Sequence, residues 1–223
     1  MDVIYTSISG GYDTLLPHPP TKNTRFVAFV DDPKNQQNMG WELRILEPFC
    51  SDPTRNSKRY KVMAHKAFPC AKHSLWIDGN VEIREDFSLE LLISIHLARH
   101  DLALFNHPRR RCLYEEASSC SLRRVDDPHV IEQQMSRYRA EGYPENLGLT
   151  ENRIILRRHT PSIEQLNEVW WSEICNGSRR DQLSLGYSLW KLGISHDVIP
   201  GKSGNNQFFH CRHHVLPRHC HTQ

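Results

Sequence analysis

Residues 74–83 read SLWIDGNVEI, and the fold turns on how they are understood. Ser74 to Ile77 form a short apolar run suited to one buried strand. Asp78, Gly79 and Asn80 are turn residues and end it. A carboxylate beside a glycine at the carboxyl end of a strand is also where open α/β sheets hold their ligands. Backbone geometry alone accounts for the residue types, so the surrounding sequence has to separate a plain turn from a site.

On the N-terminal side, VIYTSI (3–8), RFVAFV (25–30) and WELRIL (41–46) have the β-branched and aromatic content of strands. SKRYKVMAHKAF (57–68) reads as a helix that stops at Pro69. On the C-terminal side, DFSLELLISIHLARH (86–100) predicts a helix starting at Asp86, with Leu89, Leu92, Ile93 and Leu97 on one face. LALF (102–105) and RIILRR (153–158) read as strands. DPHVIEQQMSRYRAEG (127–142) carries Asp127 as cap, Pro128 at the first position and Gly142 as stop. TPSIEQLNEVWWSEICNG (160–177) and SRRDQLSLGYSLWKLG (178–193) are two further helices. Strands and helices alternate, which predicts an α/β domain over residues 1–204 with a largely parallel sheet covered on both faces. Residues 205–223 read as an irregular tail rich in His and Cys.

The chain has 223 residues and a formal charge of +2, a balance that does not suggest a nucleic-acid or membrane-surface protein. Its seven cysteines are odd in number, irregularly spaced and without a CxxC, which argues against a disulfide framework and for a reducing compartment. No apolar run approaches the ~20 residues of a membrane span. The N-terminus enters a strand rather than a signal peptide, so a cytoplasmic protein is expected. The dinucleotide fingerprint GxGxxG and the P-loop are both absent.

Several groups carry candidate chemistry. Asp78 and the Asn80 amide suit a hard divalent cation, which prefers oxygen ligands. Lys58, Lys61 and His65 share a helical face, with Arg55 and Arg59 nearby. Such a cluster neutralises a diphosphate or is simply a solvated face. In HPRRRCLYEEA (107–117), surface ion pairs explain the charges, whereas a sugar site explains the mixture of His107, Arg109, Tyr114, Glu115 and Glu116. Ser178 with Asp181 matches a capping box, yet Arg180, Asp181 and Gln182 at a helix start also suit a substrate contact or a base. The tail histidines and cysteines match no standard zinc spacing; either one histidine, with His210 assigned, folds back to complete the site at Asp78, or the tail is a frayed, inert end.

Eight segments in order over about residues 1–195 resemble one known family: VIYTSISGGYD, FVAFVDD, GWELRI, SKRYKVMAHKAFP, SLWIDGNVEI, FNHPRRRCLYEEA, QMSRYRAEGYPENLGLTENRIILRRH and VWWSEICNGSRRDQLSLGYSLWKLG. It is the glycosyltransferase-like family of plant turgor-regulation and mucilage proteins, with bacterial members. The resemblance implies a GT-A-like fold with a mixed central sheet. It implies transfer of a sugar from a nucleotide-sugar donor, most simply uridine-linked, to a glycan acceptor. In such folds a D-x-D motif holds a metal, so the resemblance assigns Asp78 to Mn2+ or Mg2+. This sequence departs from the motif by Asn80, an uncharged third residue that holds a cation more weakly. By the same likeness Thr6, Tyr12 and Asp13 frame the nucleotide and Asp31 meets its base or ribose. Lys58, Lys61 and His65 face the diphosphate, and Arg180, Asp181 and Gln182 lie nearest the sugar. An inverting reaction needs a carboxylate base, for which Asp181 and Glu116 are the candidates. Two competing expectations are a non-catalytic nucleotide- or glycan-binding module, motivated by Asn80, and a hydrolase using zinc in the tail.

Overall fold

The computed structural model describes residues 1–21, 23–34 and 36–214. The runs VIYTSI and RFVAFV become β1 (Asp2–Ile8) and β2 (Thr24–Val30), paired in parallel. β3 (Glu42–Ile45), β4 (His73–Ile77), β6 (Leu102–Asn106) and β8 (Asp197–Ile199) point the same way. β7 (Thr150–Arg158) is inserted antiparallel between β4 and β6. The seven strands lie in the order β3-β2-β1-β4-β7-β6-β8. The sheet is therefore mixed and mainly parallel, and the carboxyl ends of β1, β2 and β4 share one edge. On that edge stand Gly10 and Gly11, Asp31, and Asp78-Gly79-Asn80. Gly10 and Gly11 both have left-handed backbones, with φ of 64° and 63°, which a residue with a side chain rarely adopts.

Side chains alternate across the sheet. On one face Ile4, Ile8, Leu75 and Ile77 pack with Leu89 and Leu92 of α3 (Leu89–His96) and with Phe209. On the other, Val3, Tyr5 and Trp76 pack with Val62 of α1 (Pro53–Val62) and with Ile163, Leu166 and Trp170 of α6 (Pro161–Asn176). A third cluster joins α4 (Leu113–Leu122), α5 (Pro128–Ala140) and α7 (Gln182–Leu192), where the Tyr138 and Tyr187 rings stack at 3.7 Å. Among the described residues no helix is long and apolar enough to cross a membrane.

Several boundaries differ from the sequence expectation, some for local reasons and some because distant residues decide. The helix expected over 57–68 starts earlier, because Asp52 accepts from Thr54 N and Pro53 opens the first turn. It then breaks at Met63 into α1 and α2 (Ala64–Ala67). The Lys61 carbonyl near that break accepts from the Tyr5 hydroxyl and from Arg157 Nη1, both at 2.9 Å. α3 is capped by Ser88, whose hydroxyl accepts from Leu91 N, so Asp86 lies outside it. α7 begins at Gln182 rather than at 178, and Ser178 donates instead to Asp126. Finally, part of the tail is structured. β9 (Phe209–Cys211) pairs antiparallel with β5 (Val81–Ile83), and Phe208 and Phe209 join the core under the sheet. His219, Cys220 and His221 lie outside the described residues.

Arg157, only 1% exposed, comes from the inserted strand and reaches through the core to the end of α1. Besides the Lys61 carbonyl it donates to the Tyr5 hydroxyl at 2.9 Å, with its guanidinium 5.8 Å from the Trp170 ring centre. Next in the chain but one, His159 lies 2.9 Å from the Ser74 hydroxyl. Burial, with Arg157 beside it, lowers the His159 imidazole from the usual 6.5 to about 4. As pH falls through this window the unfolded chain takes up the proton first, so stability drops; above the upper value His159 makes no pH-dependent contribution. Urea unfolding at pH 7 and pH 5 is expected to show a smaller loss of midpoint in His159→Gln than in the wild type. Equal losses would show that His159 plays no part.

Candidate active site

α1 crosses the carboxyl edge of the sheet and is tied to β1 by the Ser7–Ser57 hydroxyl contact of 2.9 Å. This places Lys58 and Lys61, one helical turn apart, over the loop ends. Both reach Asp181, which is 4% exposed at the start of α7. Lys58 Nζ donates to Asp181 Oδ1, and Lys61 Nζ is 3.0 Å from Asp181 Oδ2. Lys61 Nζ also donates to Asp78 Oδ1 at 3.1 Å. A buried charge cluster has formed, in which Lys61 bridges the end of β4 to the start of α7.

The electrostatics follow from this packing. Burial alone would raise the Asp181 carboxyl, but Lys58, Lys61 and Arg180 outweigh it and hold the group far below the ordinary carboxylate range. Burial opposes the Lys61 charge too, yet Asp181 and Asp78 together keep its ammonium above the usual lysine value. Lys58 shifts the other way: burial outweighs the pull of Asp181, with Lys61 and Arg180 adding repulsion. Arg180 is desolvated, and Asp181, Cys120 and Glu116 hold its charge. Asp181 thus fills the helix-start position without capping it, because its carboxylate is turned onto the lysines. The capping-box reading of Ser178 and Asp181 is corrected accordingly.

Around Asp78 the site is closed by the C-terminal segment. Asp78 Oδ1 also accepts from Trp76 Nε1 at 2.8 Å, and its backbone N–H donates to the Arg153 carbonyl at 2.9 Å. Gly79 is closely packed, since a Cβ there would sit 3.0 Å from Ile8 Cγ1 and that side chain would have to give way. Asn80, 6% exposed, donates through Nδ2 to the Arg212 carbonyl at 2.8 Å and to Cys211 Sγ at 3.2 Å. The same nitrogen is 3.4 Å from His214 Nε2. The Asn80 Oδ1 atom is buried with no partner among the described groups. His214 turns Nδ1 to Asp13, at 3.0 and 3.1 Å from its two oxygens, and packs on Tyr12. Arg153 Nη1 donates to Cys211 Sγ at 2.6 Å.

The residues named from sequence therefore divide. Lys58, Lys61, Asp78, Arg180 and Asp181 come together. Tyr12, Asp13 and Asn80 meet at the neighbouring turn, and Asp31 accepts from Gly10 N. Thr6 is buried in β1 with its hydroxyl lacking a partner among the described groups. Gln182 points inward and donates to Thr150 O at 2.8 Å. His65, expected beside the lysines, sits on α2 against Glu168 and Asn167 of α6, because the break at Met63 turns it away. His210, expected at the metal, lies across the β5–β9 ladder from Glu82; the histidine that meets Asn80 is His214. Tyr114 is buried and spends its hydroxyl on Tyr143 O. Glu116 is buried under Arg110 at 2.5 Å and Arg123 at 3.5 Å, with His107 at 3.9 Å. Arg109 and Glu115 are exposed at the head of α4. His214, Arg153 and Cys211 had no spacing signal to reveal them; only the fold brings them in.

These residues fit a divalent cation poorly. Asp78 already receives two N–H donors, the second D-x-D carboxylate is missing, and the Asn80 amide is held by its nitrogen. Among the described residues no three His, Cys, Asp or Glu side chains converge on one point that could hold a metal.

The model of the TOD1/MUCI70, glycosyltransferase-like domain matches residues 30–217. The chain belongs to this family. It is 30% identical over 154 residues to the probable hexosyltransferase MUCI70 of Arabidopsis thaliana, covering 65% of this chain and 26% of that protein. It is 24% identical over 173 residues to the alkaline ceramidase TOD1 of the same plant, covering 72% and 37%. The chain thus spans only about a quarter to about a third of the length of these relatives. The apo structure of WbbM, a bifunctional glycosyltransferase, superposes with a TM-score of 0.51 at 12% identity, over 89% of this chain and 38% of the other. The mixed sheet with its inserted antiparallel strand is thus a GT-A fold.

Asp181→Asn removes the anion on which three cations converge. Urea unfolding is expected to show a loss of about 3–5 kcal/mol, the usual result of stripping a buried charge of its partner. A loss below about 1 kcal/mol would mean that solvent, rather than Asp181, compensates the lysines.

Proposed function

We propose that this domain transfers a hexose from a nucleotide-sugar donor, of the uridine diphosphate kind, to a glycan acceptor. The observation that carries the reading is the pair of ammonium groups, Lys61 buried and Lys58 half-buried, held on Asp181 and, through Lys61, beside Asp78 at the carboxyl edge of parallel strands. Open α/β sheets take ligands at that edge, and cations held there oppose the charge of a diphosphate. Membership in the glycosyltransferase-like family and the hexosyltransferase name of one relative support it.

In this reading the diphosphate lies against Lys58 and Lys61, and Tyr12, Asp13 and Asp31 frame the nucleoside. As the bond from sugar to phosphate breaks, charge grows on the departing diphosphate, and ammonium groups already in place stabilise it without rearrangement. Asp181 orients the lysines. Being ionised and doubly paired, it is a weak proton acceptor, and Glu116 is closed off by arginines. The acceptor is placed near His107, Arg109 and Glu115, beyond the carboxyl end of β6 on the same edge. Tyr114 drops out of that role because its hydroxyl is spent. A second reading, hydrolysis of a lipid amide, comes from the ceramidase name of the other relative.

Calorimetric titration with UDP, GDP, CDP and ADP tests the proposal, followed by assay with the matching nucleotide sugars and, separately, with a ceramide. One nucleotide is expected to bind, and Lys58→Ala to weaken it by about tenfold or more, the scale of one lost charged contact. Ceramide is expected to stay intact. Well-folded protein that binds none of the four nucleotides, or that releases fatty acid from ceramide, would sink the transferase reading.

A further inference from the structure

We infer that Lys61 stands in the place of a divalent cation, so that the donor diphosphate is held here without metal. This rests on the transferase reading for its ligand, though not for its geometry. Lys61 Nζ lies between two carboxylates, 3.1 Å from Asp78 and 3.0 Å from Asp181. A metal bridging the end of β4 to the start of the last long helix would compete with Lys61 for these two carboxylates. The ammonium is a fixed part of the structure. Its side chain is 5% exposed and Nζ lies 5.3 Å from the centre of the Trp76 ring. The backbone carbonyl of the same residue is pinned by Tyr5 and Arg157.

The local charge balance points the same way. Lys58, Lys61 and Arg180 converge on Asp181, and Lys61 also pairs with Asp78. A divalent ion arriving at Asp78 would meet repulsion at close range from the buried Lys61 ammonium. The other nearby carboxylate, Asp13, faces the His214 ring. The third position of the motif carries an amide whose nitrogen is committed to Arg212 O and Cys211. What a D-x-D pair does with an added ion, this site does with a cation from its own helix. Asp78 then serves to position Lys61.

Two titrations test this. Mn2+ uptake, followed by the paramagnetic signal of free Mn2+, is measured on wild type, Lys61→Ala, Lys61→Arg and Asp78→Ala without nucleotide. UDP binding is measured in EDTA and in Mn2+. Wild type and Lys61→Arg are expected to take up no Mn2+, and wild-type UDP affinity to agree within about twofold between the two conditions. Lys61→Ala, with both carboxylates relieved of Lys61, is expected to acquire Mn2+ binding and a gain in UDP affinity of about tenfold on adding the ion. Stoichiometric Mn2+ on wild type that Asp78→Ala abolishes would overturn the inference. So would about tenfold weaker UDP binding by wild type in EDTA, or a folded Lys61→Ala that takes up no Mn2+. Should Lys61→Ala fail to fold, the wild-type and Asp78→Ala arms decide. Should UDP fail to bind at all, the transferase reading falls while the Mn2+ arm still judges Lys61.

Discussion

The buried carboxylate of Asp181 is the constraint around which the working edge of this domain is organised. It receives Lys58 and Lys61 from α1 and lies beside Arg180, while its backbone carbonyl accepts from Trp170 Nε1 at 2.9 Å on α6. Through Lys61 it is coupled to Asp78 at the end of β4. One anion thus holds two helices and a strand end in fixed relation. Such a cluster is expensive to desolvate and unforgiving when one member is lost. Its presence at a sheet edge argues for use, since an apolar plug would hold the same elements together more cheaply.

A second constraint supports the first. Lys61 can sit between its carboxylates only because α1 ends where it does. That ending depends on Arg157, sent across the core from the strand that breaks the parallel order of the sheet. The antiparallel insertion of β7 is therefore connected to the site: it carries the guanidinium that takes the Lys61 carbonyl in the last turn of α1, and toward its other end Arg153, which binds Cys211. Topology and chemistry meet in one strand.

The sequence was informative wherever physics is local. The strands of β1, β2 and β4 announced themselves by β-branched and aromatic content, and Asp127-Pro128 marked the start of α5 to the residue. Lys58 and Lys61 were visible as one helical face, and Asp78 as a strand-end carboxylate. It was silent or misleading wherever long-range contacts decide. Nothing near Met63 signals the break that carries His65 away from the lysines, because the donors that take the Lys61 carbonyl lie 56 and 96 residues distant. Asp181 resembled a helix cap, since three-residue spacing records what a local turn allows and not a pair of lysines more than a hundred residues earlier. His210 and His214 could not be told apart by spacing, because their choice depends on strand pairing between β5 and β9.

That pairing has a consequence for how the domain comes into being. Asn80 meets Cys211 from 131 positions away, and Arg212 and His214 close the same turn. The ribosome releases these closing residues only after every strand of the main sheet has been made. Contacts of such separation form late and slowly, because a long loop must be ordered before they are rewarded. A nascent chain can therefore own a complete sheet and its lysine-bearing helix while the pocket beside Asp78 still stands open, until Cys211, Arg212 and His214 emerge and close it like a clasp.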